Sequence, residues 1–232
     1  MKRILGAAIA GGCLLITGCT ATVGGRALPA DHRGPLPAPT VAVADLQGLL
    51  PSRSLINSVL GTTTMSSPGP RTRMWDDSDA LSDRNCLDTW GPAEAQVYEG
   101  SGWTAVRSAT LRDGSADDMQ HLVSEAVVGF PSADGAQQYF RGATQRWTAC
   151  SNRRVVYTPP GKPPATWTNA DVVTAADMIT LAETAEGADG WGCQRALGVH
   201  ANVAIDMVTC GSDAKDQAAA IITKVVEQMP QA

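Results

Sequence analysis

Histidine and phenylalanine are scarce in this chain, with three of the first and two of the second against six tryptophans. The histidines, His32, His121 and His200, are dispersed, and no His-Glu-x-x-His or similar ligand spacing joins them, so the sequence offers no metal centre. The cysteines form no Cys-x-x-Cys and stand too far apart for a zinc knuckle. There is no Gly-x-Ser-x-Gly, Walker or dinucleotide-type glycine pattern, so neither a nucleotide cofactor nor a familiar hydrolase is indicated. Basic surplus is also missing: 18 Lys and Arg stand against 23 Asp and Glu, a formal charge of −5. A mildly acidic surface argues against nucleic acid as a partner and against a basic patch for anionic headgroups.

What the chain does have begins at its amino terminus. Lys2 and Arg3 precede an apolar stretch from Ile4 to Ile16, too short for the ~20 residues of a spanning helix. Small residues then lead to a cysteine in Ile16-Thr17-Gly18-Cys19. This order is that of a secretory signal, and the last four residues resemble a bacterial lipobox. The resemblance implies a signal peptide over 1–18, diacylglyceryl attachment to Cys19, cleavage after Gly18, and acylation of the new amino terminus by a fatty acid such as palmitate. Two or more acyl chains anchor stably, at ~0.8 kcal/mol per buried CH₂. The expectation is therefore a monomer lipid-anchored to the cell membrane at its extracytoplasmic face. Residues 19–41 read as the anchor and a mobile tether rich in Gly and Pro, among them Gly34, Pro35, Pro37 and Pro39.

The globular part, 42–232, holds Cys86, Cys150, Cys193 and Cys210. An even number in an exported domain reads as two disulfides, with three possible pairings. Ser132 is an N-cap for the clearest helix, on which Ala136, Phe140, Ala143, Trp147 and Cys150 share one face. Short helices are expected over Ala44–Leu49, Ser52–Leu60 and Arg84–Trp90, and a last one over 213–228 with Ser212 or Asp213 as its cap. Strands are expected over 102–111, 119–130, 153–157, 165–169, 172–183, 191–199 and 203–210. In the second of these, Leu122, Ala126, Val128 and Phe130 share a face. The mixed other face, with His121, Val123, Glu125 and Val127, suits solvent or a cleft. If the last hairpin turns at Ala201-Asn202, His200 faces Val203 and Cys193 falls opposite Cys210, within disulfide reach. That favours Cys193–Cys210 and leaves Cys86–Cys150 to join a short helix to the long one.

Several segments carry a family resemblance. They are Tyr98 with Gly102-Trp103, Phe130-Pro131-Ser132-Ala133, Trp147-Thr148-Ala149-Cys150, Gly190-Trp191-Gly192-Cys193-Gln194-Arg195-Ala196-Leu197, and Asn202-Val203 through Cys210-Gly211. Together they resemble the extracellular sensor domains of mycobacterial Ser/Thr kinases of the PknH type and the lipoproteins that share that domain. The resemblance implies an α+β fold: a single domain with a twisted, mainly antiparallel sheet packed by helices, a central cleft and the same two disulfides. It further implies binding of a small envelope ligand without catalysis, with no kinase domain or membrane helix expected to accompany the domain. The rival expectations are a protein-interaction lipoprotein of the envelope, a lipid carrier and an envelope hydrolase.

Strand alternation offers Trp103, Arg107, His121, Glu125 and Arg195 as candidate ligand-binding residues on a cleft face. Trp147 and Trp90 read as core. Ser212-Asp213-Ala214-Lys215 fits Ser-x-x-Lys but lacks the companion elements of acyl transfer, and the start of a helix explains it better. Replacement Cys19→Ala is expected to abolish the diacylglyceryl mass increase and to move the chain out of the membrane fraction. Intact-protein mass spectrometry on fractionated cells checks both.

Overall fold

Eight strands pair into one sheet in which every neighbouring pair is antiparallel. The computed structural model describes residues 40–115 and 118–229. The expected signal peptide, Cys19 and nearly all of the tether lie outside the described residues. The strands are β1 (Ala105–Arg112), β2 (His121–Gly129), β3 (Arg154–Tyr157), β4 (Ala165–Asn169), β5 (Val173–Thr174), β6 (Met178–Ala185), β7 (Gly192–His200) and β8 (Val203–Gly211). Their spatial order is β1-β2-β8-β7-β6-β4-β3, with β5 paired to β6. The α-helices are α1 (Arg53–Leu60), α2 (Leu87–Trp90), α3 (Ala95–Tyr98), α4 (Ala133–Ala149) and α5 (Gln217–Gln228). No described helix is long and apolar enough to cross a membrane.

The β7–β8 hairpin is the spine. Its loop is Ala201-Asn202, with His200 opposite Val203, and this register sets Cys193 opposite Cys210. Those two are bonded, as are Cys86 and Cys150. Asn202 ties the hairpin to its surroundings: its amide donates to the Phe130 carbonyl at 2.8 Å and the Val41 carbonyl at 3.1 Å, and its Oδ1 accepts from Val41 N at 2.7 Å. The start of the domain is thereby fixed to the hairpin tip.

Both faces of the sheet are covered, which corrects the expectation for β2. Val123 and Val127 pack with Ile205 and Met207 beneath Ile56 of α1 and Ile221, Ile222 and Val225 of α5, and Glu125 is buried on this same face. Two-sided burial shows in β7 and β8, which are buried along almost their whole length, polar Gln194, Arg195, Asp206 and Thr209 included. At Gly198 an added Cβ would meet Ile222 Cγ2 at 2.8 Å, so glycine lets α5 lie against β7. On the opposite face α4 buries Ala136, Phe140, Ala143 and Trp147 against Leu181, Leu197 and Val128.

Three further expectations change in detail. The last helix starts at Gln217 instead of Asp213, with no side-chain cap from its own N-cap residue, Asp216. The cap comes from the sheet, where Gln194 Oε1 on β7 accepts from Ala219 N at 3.2 Å. The strand expected over 172–183 is two strands, because Ala175 N donates to the Met178 carbonyl at 2.8 Å and folds β5 back onto β6. The helix expected over Ala44–Leu49 is a single 3-10 turn, Leu46–Leu49.

A buried ion pair sits between α2 and the spine. Arg195 on β7 is 0 % exposed, and its Nη2 donates to Asp206 Oδ1 at 2.8 Å. Four carbonyls accept from it as well: Thr89 at 3.1 Å from Nε, Asp88 and Gly91 each at 3.1 Å from Nη2, which is shared among three acceptors, and Met207 from Nη1. The guanidinium also lies 4.9 Å from the centre of the Trp147 ring. Asp206 Oδ2 accepts from Ala93 N at 2.8 Å and from the Tyr98 hydroxyl at 3.0 Å. Removing one member of a satisfied buried pair strands the other, which costs about 3–5 kcal/mol. Arg195→Ala is expected to lower unfolding stability by that amount in urea titrations.

Candidate functional site

A cleft of about 460 Å³ opens at one end of the sheet, on the α4 side. Its floor is a row of paired residues crossing four strands: Leu122 on β2, Cys210 on β8, Cys193 on β7 and Glu183 on β6. Ser124 and Val208 stand one step further along the same face. The disulfide Cys193–Cys210 thus forms part of the floor. Trp167 on β4 and Tyr157 at the end of β3 form one wall, and Trp75, Asp77, Trp90, Gly91, Pro92 and Glu94 form the other. Trp191, Lys162, Met119, Pro159 and Ala165 complete the lining.

Four of the six tryptophans therefore line one cavity. Trp90 stacks obliquely on Tyr157, with ring centres 4.4 Å apart and planes at 33°, and meets Trp167 edge-on at 5.4 Å and 77°. The Trp75 side of the wall is held by backbone pairing: Trp75 N donates to the Ala93 carbonyl at 3.1 Å, and Ala95 N donates to the Trp75 carbonyl at 2.8 Å. Glu94 Oε2 accepts from Asp77 N at 2.9 Å, and Asp77 Oδ2 accepts from Trp90 Nε1 at 3.3 Å.

The polar lining is dominated by carboxyls. Burial raises Glu94 to about 7; the neighbouring Asp77 and Asp76 add to this, while the Asp77 N–H and Arg195 oppose it. Burial raises Glu183 to about 8 against the opposing pull of Arg195. Glu183 Oε1 and Trp167 Nε1 are buried without a hydrogen-bond partner among the described residues. No cluster of three or more His, Cys, Asp or Glu able to hold a metal occurs among the described residues.

The five residues offered by strand alternation do not come together. Arg107, His121 and Glu125 lie on the sheet face away from the cleft, since their strand partners Val127, Gly211 and Met207 are out of phase with Cys210. Arg107 Nη1 donates to the Val106 carbonyl at 2.9 Å. His121 Nδ1 is 2.6 Å from Asp113 Oδ2, beside a separate hollow of about 180 Å³. Trp103 precedes β1 and is 37 % exposed. Arg195 is on the cleft's face but buried behind its wall, where it holds Thr89 and Gly91 on either side of Trp90. The Ser-x-x-Lys segment is solvent-facing, with Lys215 Nζ paired to Asp213 Oδ1 at 2.8 Å. The excess of tryptophan over phenylalanine was the available signal for the cleft. Which tryptophans it meant depended on wall segments with no strand or helix periodicity.

A profile of the PknH-like extracellular domain matches residues 41–228. The chain belongs to the PknH-like extracellular domain family. It is 34% identical over 193 residues to the serine/threonine-protein kinase PknH of Mycobacterium bovis, covering 83% of this chain and 32% of that protein. The Mycobacterium tuberculosis kinase PknH matches equally, at 34% over 193 residues, 83% of this chain and 30% of the kinase. The chain thus spans about a third of the length of these relatives. The crystal structure of the extracellular domain of PknH from Mycobacterium tuberculosis superposes with a TM-score of 0.78 at 34% identity, covering 84% of this chain and 98% of that one. The PknH-like fold, an α+β domain with an antiparallel sheet and two disulfides, is therefore the fold of this chain.

The buried carboxyls make stability depend on pH in a defined direction. Glu125 is 2 % exposed, and burial alone raises it from 4.5 to about 8. Unfolded, it loses its proton near pH 4.5; folded, it keeps it to about pH 8. Across that window the unfolded chain binds fewer protons, so stability falls as pH rises. Glu94 and Glu183 act in the same direction. Glu125→Gln is expected to flatten the pH profile and to raise stability at pH 8 by on the order of 2 kcal/mol, measured by denaturant unfolding between pH 4.5 and 8.

Proposed function

We propose that this chain is an extracytoplasmic lipoprotein, anchored through Cys19, whose PknH-like domain takes a small envelope ligand in the tryptophan-lined cleft without chemically altering it. The observation that carries the reading is the cleft itself: a preformed cavity with four indole rings, one phenol and a few inward carboxyls. Ligand sites have this composition, with apolar and aromatic walls for affinity and a small number of polar groups for orientation. The lipobox-like Ile16-Thr17-Gly18-Cys19 supports the anchor, and homology to the extracellular domain of a membrane kinase supports placement outside the cytoplasm. The domain's partners in this reading are the membrane, through its lipid, and the ligand. Its tether is residues 19–41 and its binding domain 42–232. No cofactor is required.

Thermal unfolding of the full chain with fractionated envelope extract tests this. At a ligand concentration of a hundred times Kd, binding stabilises by ~2.7 kcal/mol, a rise in Tm of roughly 5–10 °C for a domain of this size. Indole fluorescence is expected to change with the same fraction. If no fraction moves either signal while an envelope protein co-purifies stoichiometrically, the chain is an interaction scaffold instead.

A further inference from the structure

The chemical class of the ligand can be read from the lining, taking the cleft to be the ligand site. We propose that the cleft binds an organic ammonium ion, its charge seated against the aromatic corner and Glu183.

Charge balance is the first reason. Asp77, Glu94 and Glu183 line the cavity against a single basic residue, Lys162, which is exposed at its rim. Arg195, the guanidinium behind the wall, is already engaged by Asp206 and four carbonyls. Glu183 is 2 % exposed and its Oε1 has no hydrogen-bond partner among the described residues. A buried carboxyl oxygen without a partner is costly, and an N–H donor or positive charge from a ligand removes that cost. Ring geometry is the second reason. Trp90 stacks on Tyr157 and meets Trp167 edge-on, so three π systems are gathered in one part of the lining. Ring faces within ~6 Å attract cations, and the effect grows as the site is dried. The formal charge of −5 also favours approach of cations over anions.

A titration consequence separates a cation from a neutral ligand of the same shape. Asp77, Glu94 and Lys162 share the cavity lining with Glu183, and Arg195 is the charge that acts on Glu183 from behind. With Glu94 held at about 7 and Glu183 at about 8, part of this carboxyl set is protonated at neutral pH. A cation beside them favours the ionised forms, so its binding releases protons to the buffer.

The test compares choline with 3,3-dimethylbutan-1-ol, which has the same shape and hydroxyl but no charge, and with chitotriose as a neutral glycan. Each is titrated into the full chain with both disulfides oxidised, followed by indole fluorescence and by calorimetry in two buffers of different ionisation enthalpy. Choline is expected to saturate with a Kd at least tenfold below that of the alcohol and to release protons at pH 7. Glu183→Gln is expected to weaken choline binding about tenfold and to suppress most of the release; should that variant fail to fold, the wild-type ratio of choline to alcohol decides alone. Equal binding of choline and the alcohol, saturation by chitotriose without choline, or no response to choline overturns the ammonium assignment. The cleft as ligand site stands or falls separately, on the envelope-extract unfolding experiment.

Discussion

The guanidinium of Arg195 and the carboxylate of Asp206 form the contact on which the rest of the structure hangs. Neither can be buried unpaired without large cost, so the chain around them turns carbonyls to the one and N–H and O–H donors to the other. The carbonyls of Asp88, Thr89 and Gly91 turn inward to Arg195, while Ala93 N and the Tyr98 hydroxyl turn to Asp206. These five groups belong to one stretch, 88–98, which has only two single-turn helices of its own. The ion pair supplies the order that regular hydrogen bonding does not. Arg146 on α4 adds a second tie, its Nε donating to Asp88 Oδ2 at 2.8 Å.

The consequence for the site is direct. Trp90, Gly91, Pro92 and Glu94 are the cleft wall, and they are the residues immediately framed by those contacts. Glu94 and Ala93 in turn hold Trp75 and Asp77. A chain of hydrogen bonds thus runs from the middle of the sheet to the aromatic corner. The cavity exists because the cover on that face is incomplete. α4 seals the part over Leu197 and Leu181, whereas the row Leu122, Cys210, Cys193 and Glu183 is roofed only at its edges by wall segments and the indoles they carry. A covalent floor at Cys193–Cys210 fixes the two central strands at that exposed row.

Regular elements were legible because their periodicity is local. The α4 face of Ala136, Phe140, Ala143, Trp147 and Cys150 is a matter of 3.6-residue spacing, and all five are buried. The register of β7 on β8 followed from the loop position alone, since pairing across a two-residue turn is fixed by counting. The cleft residues were less accessible to such reasoning. Alternation on β2 identified two faces correctly but not which one met the cavity, because that depends on helices arriving from distant parts of the chain. Arg195 was singled out as chemically notable and has instead a positioning part, as a buried arginine with five donors requires.

By itself, the sequence determined the long helix, the two faces of β2 and, given a turn at Ala201-Asn202, the facing of Cys193 and Cys210, all of which rest on short-range spacing, while the α+β class and both disulfides came with the family resemblance. It also carries an amino-terminal order of residues, Ile16-Thr17-Gly18-Cys19, that resembles a lipobox. Tertiary structure alone decided that both sheet faces are covered, that Glu125 faces apolar side chains, that a β7 side chain caps α5, and that four tryptophans separated by up to 116 positions, Trp75 to Trp191, meet in one cavity. The physical reason is common to these cases. Each is set by which segment is left to cover a given patch of sheet, and that is a property of the whole packed chain.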